Sequence, residues 1–316
     1  MLIFYTLLGL SLLLNAVLWW RLKKNKSVKA HPKPSRPEQV AEFYDQYNDK
    51  FLKTYGEIIQ AFRTTDVSKL LDYQIDAIGL EKGQRVLDAG CGVCGPAIYF
   101  AQQAEVEVEA LTVSQEQVLQ AQQRIEEAGL VDKVRVQKGD YHQLSEYFPK
   151  DHFDVVYFLE SFGHSYDHKT AIASAWKVLK PGGVLYIKDL FRKIAVLPEH
   201  EAKIDYEIER INAAYRYNIA DLYEVLHVLR QQGFIISQLK TIDLKLEEFE
   251  NLTISNDFQE LTGIAVIDNW EDYVFPVDFF ELKCFKPWYD ISLGNSRYFL
   301  QNLYHLKVWG KEQAEL

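Results

Sequence analysis

Apolar and polar positions alternate in blocks along this chain, and the blocks change their period. From Glu38 to about Gly79 apolar side chains recur at spacings of three and four, which predicts helix. Beyond Gly79, short apolar runs alternate with further helical stretches. The runs predict strands at 85–87, 106–113, 134–138, 153–158, 184–189 and 234–239. The stretches between them predict helices at 96–103, 115–128, 171–179 and 220–232.

This order of strands and helices predicts an α/β fold, Rossmann-like and doubly wound around a mostly parallel sheet. A late run, "DFFELKCFKP" (278–287), adds a seventh strand, which we predict to be antiparallel and at the sheet edge. Residues 194–219 and 242–276 are rich in acidic and aromatic side chains and interrupt the pattern, so we predict a helical cap there. The predicted domain covers 40–290, with a C-terminal extension at 291–316.

The first twenty residues carry no charged side chain and are long enough to cross a bilayer. They end in Trp19 and Trp20, and five basic residues follow within the next nine positions. This pattern predicts an uncleaved transmembrane anchor at 1–20, with the rest of the chain cytoplasmic. A cleaved signal peptide would need a basic start and a small-residue cleavage site. Residues 21–39 are predicted to form a basic, proline-rich linker.

Composition narrows the function classes. The chain has 316 residues, of which 48% are hydrophobic and 25% charged, as in ordinary globular proteins. A formal net charge of −10 argues against a nucleic-acid partner, because phosphates need a basic surface. Three cysteines do not make a disulfide framework and suggest a reducing compartment.

The stretch "VLDAGCGVCGPA" (86–97) combines a glycine turn with a C-x-x-C pair, Cys91 and Cys94. A zinc site would need a second pair of ligands at matching spacing, and the sequence offers no second C-x-x-C. An upstream carboxylate, Asp88, would disfavour a thiolate. We therefore predict no metal site and interpret the cysteines as small fillers. The glycines instead favour close approach to a nucleotide, a dinucleotide included.

Together with "LTVSQEQ" (111–117), "GDY" (139–141), "FDVVYFLESFGHS" (153–165) and "LKPGG" (179–183), this stretch resembles the class I S-adenosylmethionine-dependent methyltransferases. The resemblance covers roughly 40–290. It is closest to sterol and prenyl diphosphate C-methyltransferases, and cyclopropane fatty acid synthases are similar. The segment "YGEIIQAFR" (55–63) is similar to their "WGxSxHFxR", with Gln60 in place of the histidine.

The resemblance implies S-adenosylmethionine as cofactor and a set of residues to bind it. Asp88, Gly90 and Gly92 would surround its methionine part, and Cys94 stands where a glycine is usual. Thr112 and Gln117 would bind the ribose hydroxyls in place of an acidic residue. Finally, Asp140 would accept from the adenine amino group and Tyr141 would pack on the ring.

At the acceptor, the resemblance implies Glu160 as the group that stabilises a carbocation or removes the final proton, with His164 as a second polar contact. A helix-capping carboxylate is the alternative for Glu160, and a structural hydrogen bond for His164. The candidate aromatic pocket residues are Tyr44, Tyr47, Phe162, Tyr166, Tyr215 and Tyr217. Five basic residues would be available for a diphosphate: Lys188, Arg192, Lys193, Arg210 and Arg216.

These residues and the predicted anchor favour C-methylation of an alkene in a lipophilic isoprenoid, either a prenyl diphosphate or a sterol-like lipid. One alternative is N- or O-methylation of a small polar acceptor. Another is a membrane-tethered protein that binds the cofactor without turnover. The methylated atom and the oligomeric state stay open.

Overall fold

The computed structural model describes residues 34–241, 263 and 273–288. The predicted anchor at 1–20, most of the second cap segment and the C-terminal extension lie outside the described residues. Within the described ranges, no helix is both long and apolar enough to cross a membrane.

The central sheet has seven strands in the order β3-β2-β1-β4-β5-β7-β6. The first five run parallel, and β7 runs antiparallel to both of its neighbours. This confirms the mostly parallel, Rossmann-like sheet. The strands are β1 (Arg85–Ala89), β2 (Glu107–Thr112), β3 (Val134–Lys138), β4 (Phe153–Leu159), β5 (Leu179–Arg192), β6 (Ile235–Lys240) and β7 (Val277–Phe285).

The position predicted for the last strand is wrong, although its direction is right. β7 lies between β5 and β6, and β6 forms the edge. The burial of the two strands accounts for this: Leu282 and Cys284 of β7 are buried, whereas the side chains of β6 alternate between exposed and half-buried. An apolar period of two predicts a strand but does not identify its neighbours.

The predicted helical block at the start of the domain is two helices, because Gly56 ends the first with a positive φ. Cap residues begin several others: the Asp66, Ser114, Asp167 and Asp221 side chains each accept from backbone N–H groups of their helix. The helices are α1 (Pro37–Tyr55), α2 (Val67–Ile78), α3 (Gly95–Gln103), α4 (Gln115–Glu127), α5 (Leu144–Tyr147), α6 (His168–Val178), α7 (Pro198–Tyr215) and α8 (Leu222–Gln232). α7 lies within the first predicted cap segment.

Both faces of the parallel strands are buried. Successive residues point to opposite faces, so Leu87 and Phe158 join one apolar cluster while Val86 and Tyr157 join the other. A parallel sheet covered on both faces leaves its strand ends as the natural place for a site.

Candidate functional site

A cleft of about 740 Å³, counted with its open mouth, lies at the carboxyl ends of the parallel strands. The turns after β1, β2, β3 and β4 form its floor, and α1 with the segment that follows it covers one side. The residues that line it are Val40, Tyr44, Glu57, Ile59, Gln60, Asp88, Gly90, Cys91, Gly92, Pro96, Leu111, Thr112, Val113, Gln117, Gly139, Tyr141, Leu159, Glu160, Ser161 and His164.

The turn after β1 can be made only by glycine at its first position. Gly90 has a φ of +99°, and a Cβ there would overlap the side chain of Ser161. Ser161 in turn donates to the carbonyl of Ala89 at 2.5 Å, which ties the ends of β1 and β4 together. The bare backbone of the turn therefore faces the cleft at close range.

Asp88 lines the cleft at the end of β1 and is almost fully buried. Tyr157 donates its hydroxyl to the Asp88 carboxylate at 2.9 Å. Burial raises the pKa of Asp88 to about 7, because a carboxylate is poorly solvated there. A cationic ligand, such as a sulfonium with its α-ammonium group, would stabilise the ionised form.

Thr112 and Gln117 form a pair at the end of β2. Thr112 Oγ1 donates to Gln117 Oε1 at 2.6 Å, while Gln117 Nε2 is buried and has no hydrogen-bond partner. An unpaired buried donor is costly unless a ligand accepts from it. A ribose hydroxyl is such an acceptor, so this part of the cleft fits the ribose of S-adenosylmethionine.

The turn after β3 places Tyr141 in the cleft but not Asp140. Tyr141 is buried and donates to the carbonyl of Ser161 at 3.1 Å. Asp140 Oδ1 accepts from the backbone N–H of His142 at 2.9 Å and lies 2.6 Å from its Nδ1. Asp140 is not among the cleft-lining residues. Its contact with adenine stays a prediction.

His142 was not anticipated from the sequence. Its Nε2 lies 2.7 Å from Ser165 Oγ, so the Asp140–His142–Ser165 chain links the turns after β3 and β4. Ser165 is fully buried, which makes this a structural link beneath the cleft. A single histidine after "GDY" belongs to no sequence motif, so the sequence alone does not identify it as a linking residue.

Glu160 lies at the end of β4 with a φ of +56°, unusual for a residue with a side chain. Its carboxylate accepts from the backbone N–H of Ala61 at 2.6 Å and from that of Phe62 at 3.1 Å. It also forms a buried ion pair with Lys188. The carboxylate therefore reaches the cleft wall with hydrogen-bond donors on both oxygens.

His164 and Tyr44 both line the cleft, and the His164 ring nitrogen Nε2 lies 2.8 Å from the Tyr44 hydroxyl. His164 Nδ1 lies 3.2 Å from the carbonyl of Arg216, which assigns the proton to Nδ1. Nε2 then accepts from the Tyr44 hydroxyl. Burial lowers the pKa of His164 to about 4, so the pair is uncharged at neutral pH.

The other predicted pocket aromatics lie around this pair rather than on the cleft wall. Tyr217 stacks on His164 at 4.1 Å between ring centroids. Tyr47 and Tyr215 pack with the α1 aromatic cluster, and Tyr166 stacks on His142 at 3.8 Å. Phe162 is buried in the sheet core. Among the six candidates, Tyr44 alone lines the cleft as far as the structure describes it.

Most of the basic residues considered for a diphosphate are engaged elsewhere. Lys188 pairs with Glu160, and Arg192 pairs with Glu201 and Asp205. Lys193 and Arg210 also have acidic partners. No lysine or arginine occurs among the cleft-lining residues in the described part of the chain.

The chain matches the family model "Mycolic acid cyclopropane synthetase" over residues 38–274. It is 32% identical over 207 residues to 27-O-demethylrifamycin SV methyltransferase of Amycolatopsis mediterranei, covering 62% of this chain and 74% of that protein. It is 37% identical over 112 residues to sterol 24-C-methyltransferase of Aspergillus fumigatus, covering 35% of this chain and 29% of that enzyme.

Solved structures share the fold. Geranyl diphosphate C-methyltransferase from Streptomyces coelicolor, in complex with Mg²⁺, geranyl diphosphate and S-adenosyl-L-homocysteine, superposes with a TM-score of 0.64 at 17% identity. The match covers 81% of this chain and 100% of that one. The glycine turn, the Thr112–Gln117 pair and the extent of the family match agree: this chain belongs to the mycolic acid cyclopropane synthetase family of class I methyltransferases, which use S-adenosylmethionine as cofactor.

Proposed function

We propose that this methyltransferase C-methylates the alkene of a neutral, lipophilic acceptor of isoprenoid or sterol type. The observation that carries the proposal is the uncharged His164–Tyr44 pair on the cleft wall. S-adenosylmethionine supplies an electrophilic methyl group on a sulfonium cation. The residues of the chain must then hold the alkene and exclude water. They must also stabilise the carbocation that methylation produces and accept the proton that it loses.

The pair fits the proton-transfer step of such a reaction. A proton next to a carbocation is strongly acidic, so a weak base removes it. His164, with its pKa lowered to about 4, is a base of that strength. Its Nε2 accepts the Tyr44 proton while the Tyr44 oxygen accepts the substrate proton, and the ring of Tyr44 offers an aromatic face to the cation.

The charges around the cleft favour a neutral acceptor over a prenyl diphosphate. Glu57, Asp88 and Glu160 line it, and a diphosphate would meet these carboxylates. Lys188 is committed to Glu160. Glu57 and Glu160 have Arg124 and Lys188 as ion-pair partners, so Asp88 is the carboxylate of this set that favours a cationic cofactor. Sterol 24-C-methyltransferases among the relatives agree with an uncharged lipid as acceptor.

O-methylation is the second candidate. It is favoured by the 27-O-demethylrifamycin SV methyltransferase, of which this chain covers 74%. The His164–Tyr44 pair would then take the proton of a hydroxyl group. A hydroxyl is a far weaker acid than the carbocation, so a base with a pKa near 4 suits it less well.

We also propose that residues 1–20 anchor the enzyme in a membrane with its catalytic domain in the cytoplasm. Support comes from the uncharged apolar run and the basic residues after it. A tether would raise the local concentration of a membrane-dissolved acceptor. Carbonate washing of membranes from cells that express the full chain tests this: we expect the protein in the pellet, and recovery in the wash would contradict an anchor.

The activity test uses the full chain with methyl-labelled S-adenosylmethionine and four acceptor classes: sterols, isoprenoid alcohols, prenyl diphosphates and polyketide-type hydroxyls. We expect label on a carbon of a sterol or isoprenoid alcohol. Label on oxygen selects the second candidate, and label only in a prenyl diphosphate contradicts the neutral acceptor. No label in any class, despite cofactor binding, contradicts the proposal. A Gly90→Ala variant, in which we expect cofactor binding to be lost, is the negative control and should transfer no label.

A further inference from the structure

A buried ion pair joins the strand ends to the segment that covers the cleft. Lys188, in β5, is 1% exposed, and Glu160 follows its neighbouring strand β4. Lys188 Nζ also donates to Gln60 Oε1 at 2.6 Å and to the carbonyl of Phe62 at 2.8 Å. Both charged groups thus reach across to the same short piece of chain between α1 and α2.

That piece, residues 57–63, lies directly on the cofactor turn. Glu57, Ile59 and Gln60 line the cleft. A Cβ at Gly95 would overlap the Glu57 carbonyl, and one at Gly92 would lie 3.5 Å from Ile59 Cδ1. We call residues 57–63 the covering segment. Its position decides whether the glycine turn is closed from solvent.

Gln60 extends the network to α2. Its Oε1 accepts from Gln74 Nε2 at 2.7 Å as well as from Lys188, and both glutamines are buried. An amide oxygen can accept from two donors, which a protonated histidine at the same place could not. The departure from the "WGxSxHFxR" pattern at Gln60 therefore gives Lys188 an uncharged acceptor.

We propose that Lys188 is a positioning residue for cofactor binding: with Glu160 and Gln60 it holds the covering segment closed over S-adenosylmethionine. Lys188 neutralises Glu160 and hydrogen-bonds the segment from one side, while Glu160 accepts from Ala61 and Phe62 on the other. In this role Glu160 anchors the backbone, and the proton transfer is left to His164 and Tyr44. Lys188 would hold the covering segment in this way whatever acceptor the enzyme methylates.

The test combines cofactor affinity with local opening of the segment. Trypsin cleaves after Arg63 only when the covering segment opens, because Arg63 is buried and donates to the carbonyls of Tyr55 and Ile58. In full-length Lys188→Met we expect the dissociation constant for S-adenosylmethionine to rise at least tenfold by calorimetry. We expect cleavage after Arg63, identified by mass spectrometry, to accelerate by a similar factor.

Lys286→Met is the matched control. Lys286 is also buried and bonded to a carboxylate and two carbonyls, but it lies on the strand β7 side, at Asp151, Trp176 and Leu179. We expect it to lower the melting temperature while cofactor affinity and cleavage after Arg63 stay unchanged. If both lysine variants change affinity alike, Lys188 has only a general structural role and the proposal is wrong.

The Glu160→Gln variant distinguishes two roles for Glu160, an anchor for the covering segment and a catalytic base. As an anchor, its loss raises the dissociation constant and accelerates cleavage after Arg63; as a base, it lowers kcat alone. Should Lys188→Met fail to fold, the uncharged double variant Glu160→Gln/Lys188→Met replaces it, since it leaves no buried charge unpaired. Native affinity and native cleavage in a folded Lys188→Met or in the double variant would overturn the proposal.

Discussion

The two halves of the cleft are built in different ways. The cofactor half comes from residues close in sequence: Asp88 to Gly92 form one strand–helix turn, and Thr112 with Gln117 forms the next. The half that we propose for the acceptor joins distant segments, since Tyr44 and His164 are 120 positions apart, and Tyr217, which stacks on His164, comes from a third segment. A local turn is fixed by backbone geometry, whereas a long-range pair depends on how helices pack over the sheet.

This difference has a functional consequence. Substitutions in α1 or after α7 can reshape the acceptor half while the glycine turn and the Thr112–Gln117 pair stay intact. Relatives named for different acceptors, a rifamycin and a sterol, are consistent with such a division. A substitution in one half should therefore change either cofactor affinity or kcat. A substitution that changes both would show that the halves are coupled.

Gly90→Ala should have the largest effect, and only on the cofactor half. The new Cβ would overlap Ser161, and the φ of +99° disfavours any side chain. We expect the dissociation constant for S-adenosylmethionine to rise at least 100-fold, or about 2.7 kcal/mol. Calorimetry measures it, with circular dichroism as the folding control. Wild-type affinity in the folded variant would show that the turn does not hold the cofactor.

His164→Gln should affect the acceptor half alone. It removes the nitrogen that accepts from Tyr44, and loss of a general base typically lowers kcat by about 10²-fold or more. We expect cofactor affinity within about twofold of the wild type. Tyr166→Phe is the control, since Tyr166 stacks on His142 away from the cleft wall. A fall in cofactor affinity instead of kcat would mean that the halves are coupled.

Gln117→Met tests the unpaired donor of the cofactor half. Losing one hydrogen bond to a ribose hydroxyl should weaken S-adenosylmethionine binding about tenfold. The substitution removes the hydrogen bond from Thr112, which destabilises the fold, but it also removes the unpaired buried Nε2. Because these effects oppose each other, the melting temperature of the free protein should change by no more than about 2 °C. Gln120→Met, one turn further along α4, is the matched control. Unchanged affinity in Gln117→Met would exclude a contact with the cofactor.

Asp88 and His164 should respond to pH in opposite directions. Asp88 has a pKa of about 7 in the fold, above the ordinary value, so it contributes stability at low pH that is lost as pH rises from about 4 to 7. His164 has a pKa of about 4, below its ordinary value. Its contribution is present above about pH 6.5 and is lost as pH falls towards 4.

Melting temperatures of the cofactor-free protein between pH 4 and 7 measure both contributions. Relative to the wild type, Asp88→Asn should become more stable as pH rises, by roughly 8 °C across the range. His164→Gln should become more stable, relative to the wild type, as pH falls. Parallel curves for a variant and the wild type would show that its residue titrates normally.

The sequence predicts the cofactor half far better than the acceptor half. Gly90, Thr112 and Gln117 stand in ordered motifs, and each turn is short enough for spacing to fix its geometry. The His164–Tyr44 pair could not be predicted, because no local pattern states how α1 crosses the sheet. Lys188 did leave a signal: it interrupts the apolar strand run "VLYIKDLF", where a charge needs a buried partner. The order of β6 and β7 left none, since either strand could occupy the edge.

Cys94→Gly should have the smallest effect and decides how the C-x-x-C pair is interpreted. Cys94 has a φ of +64° at the start of α3, where glycine removes the strain of a side chain but leaves a small void in its place. These effects oppose each other, so we expect stability within about 1 kcal/mol of the wild type and unchanged cofactor affinity. Burial raises the pKa of Cys91, which keeps its thiol protonated beside Cys94. Loss of methyl transfer in a folded, cofactor-binding Cys94→Gly would give the thiols a chemical role; retention of transfer assigns the turn to its glycines.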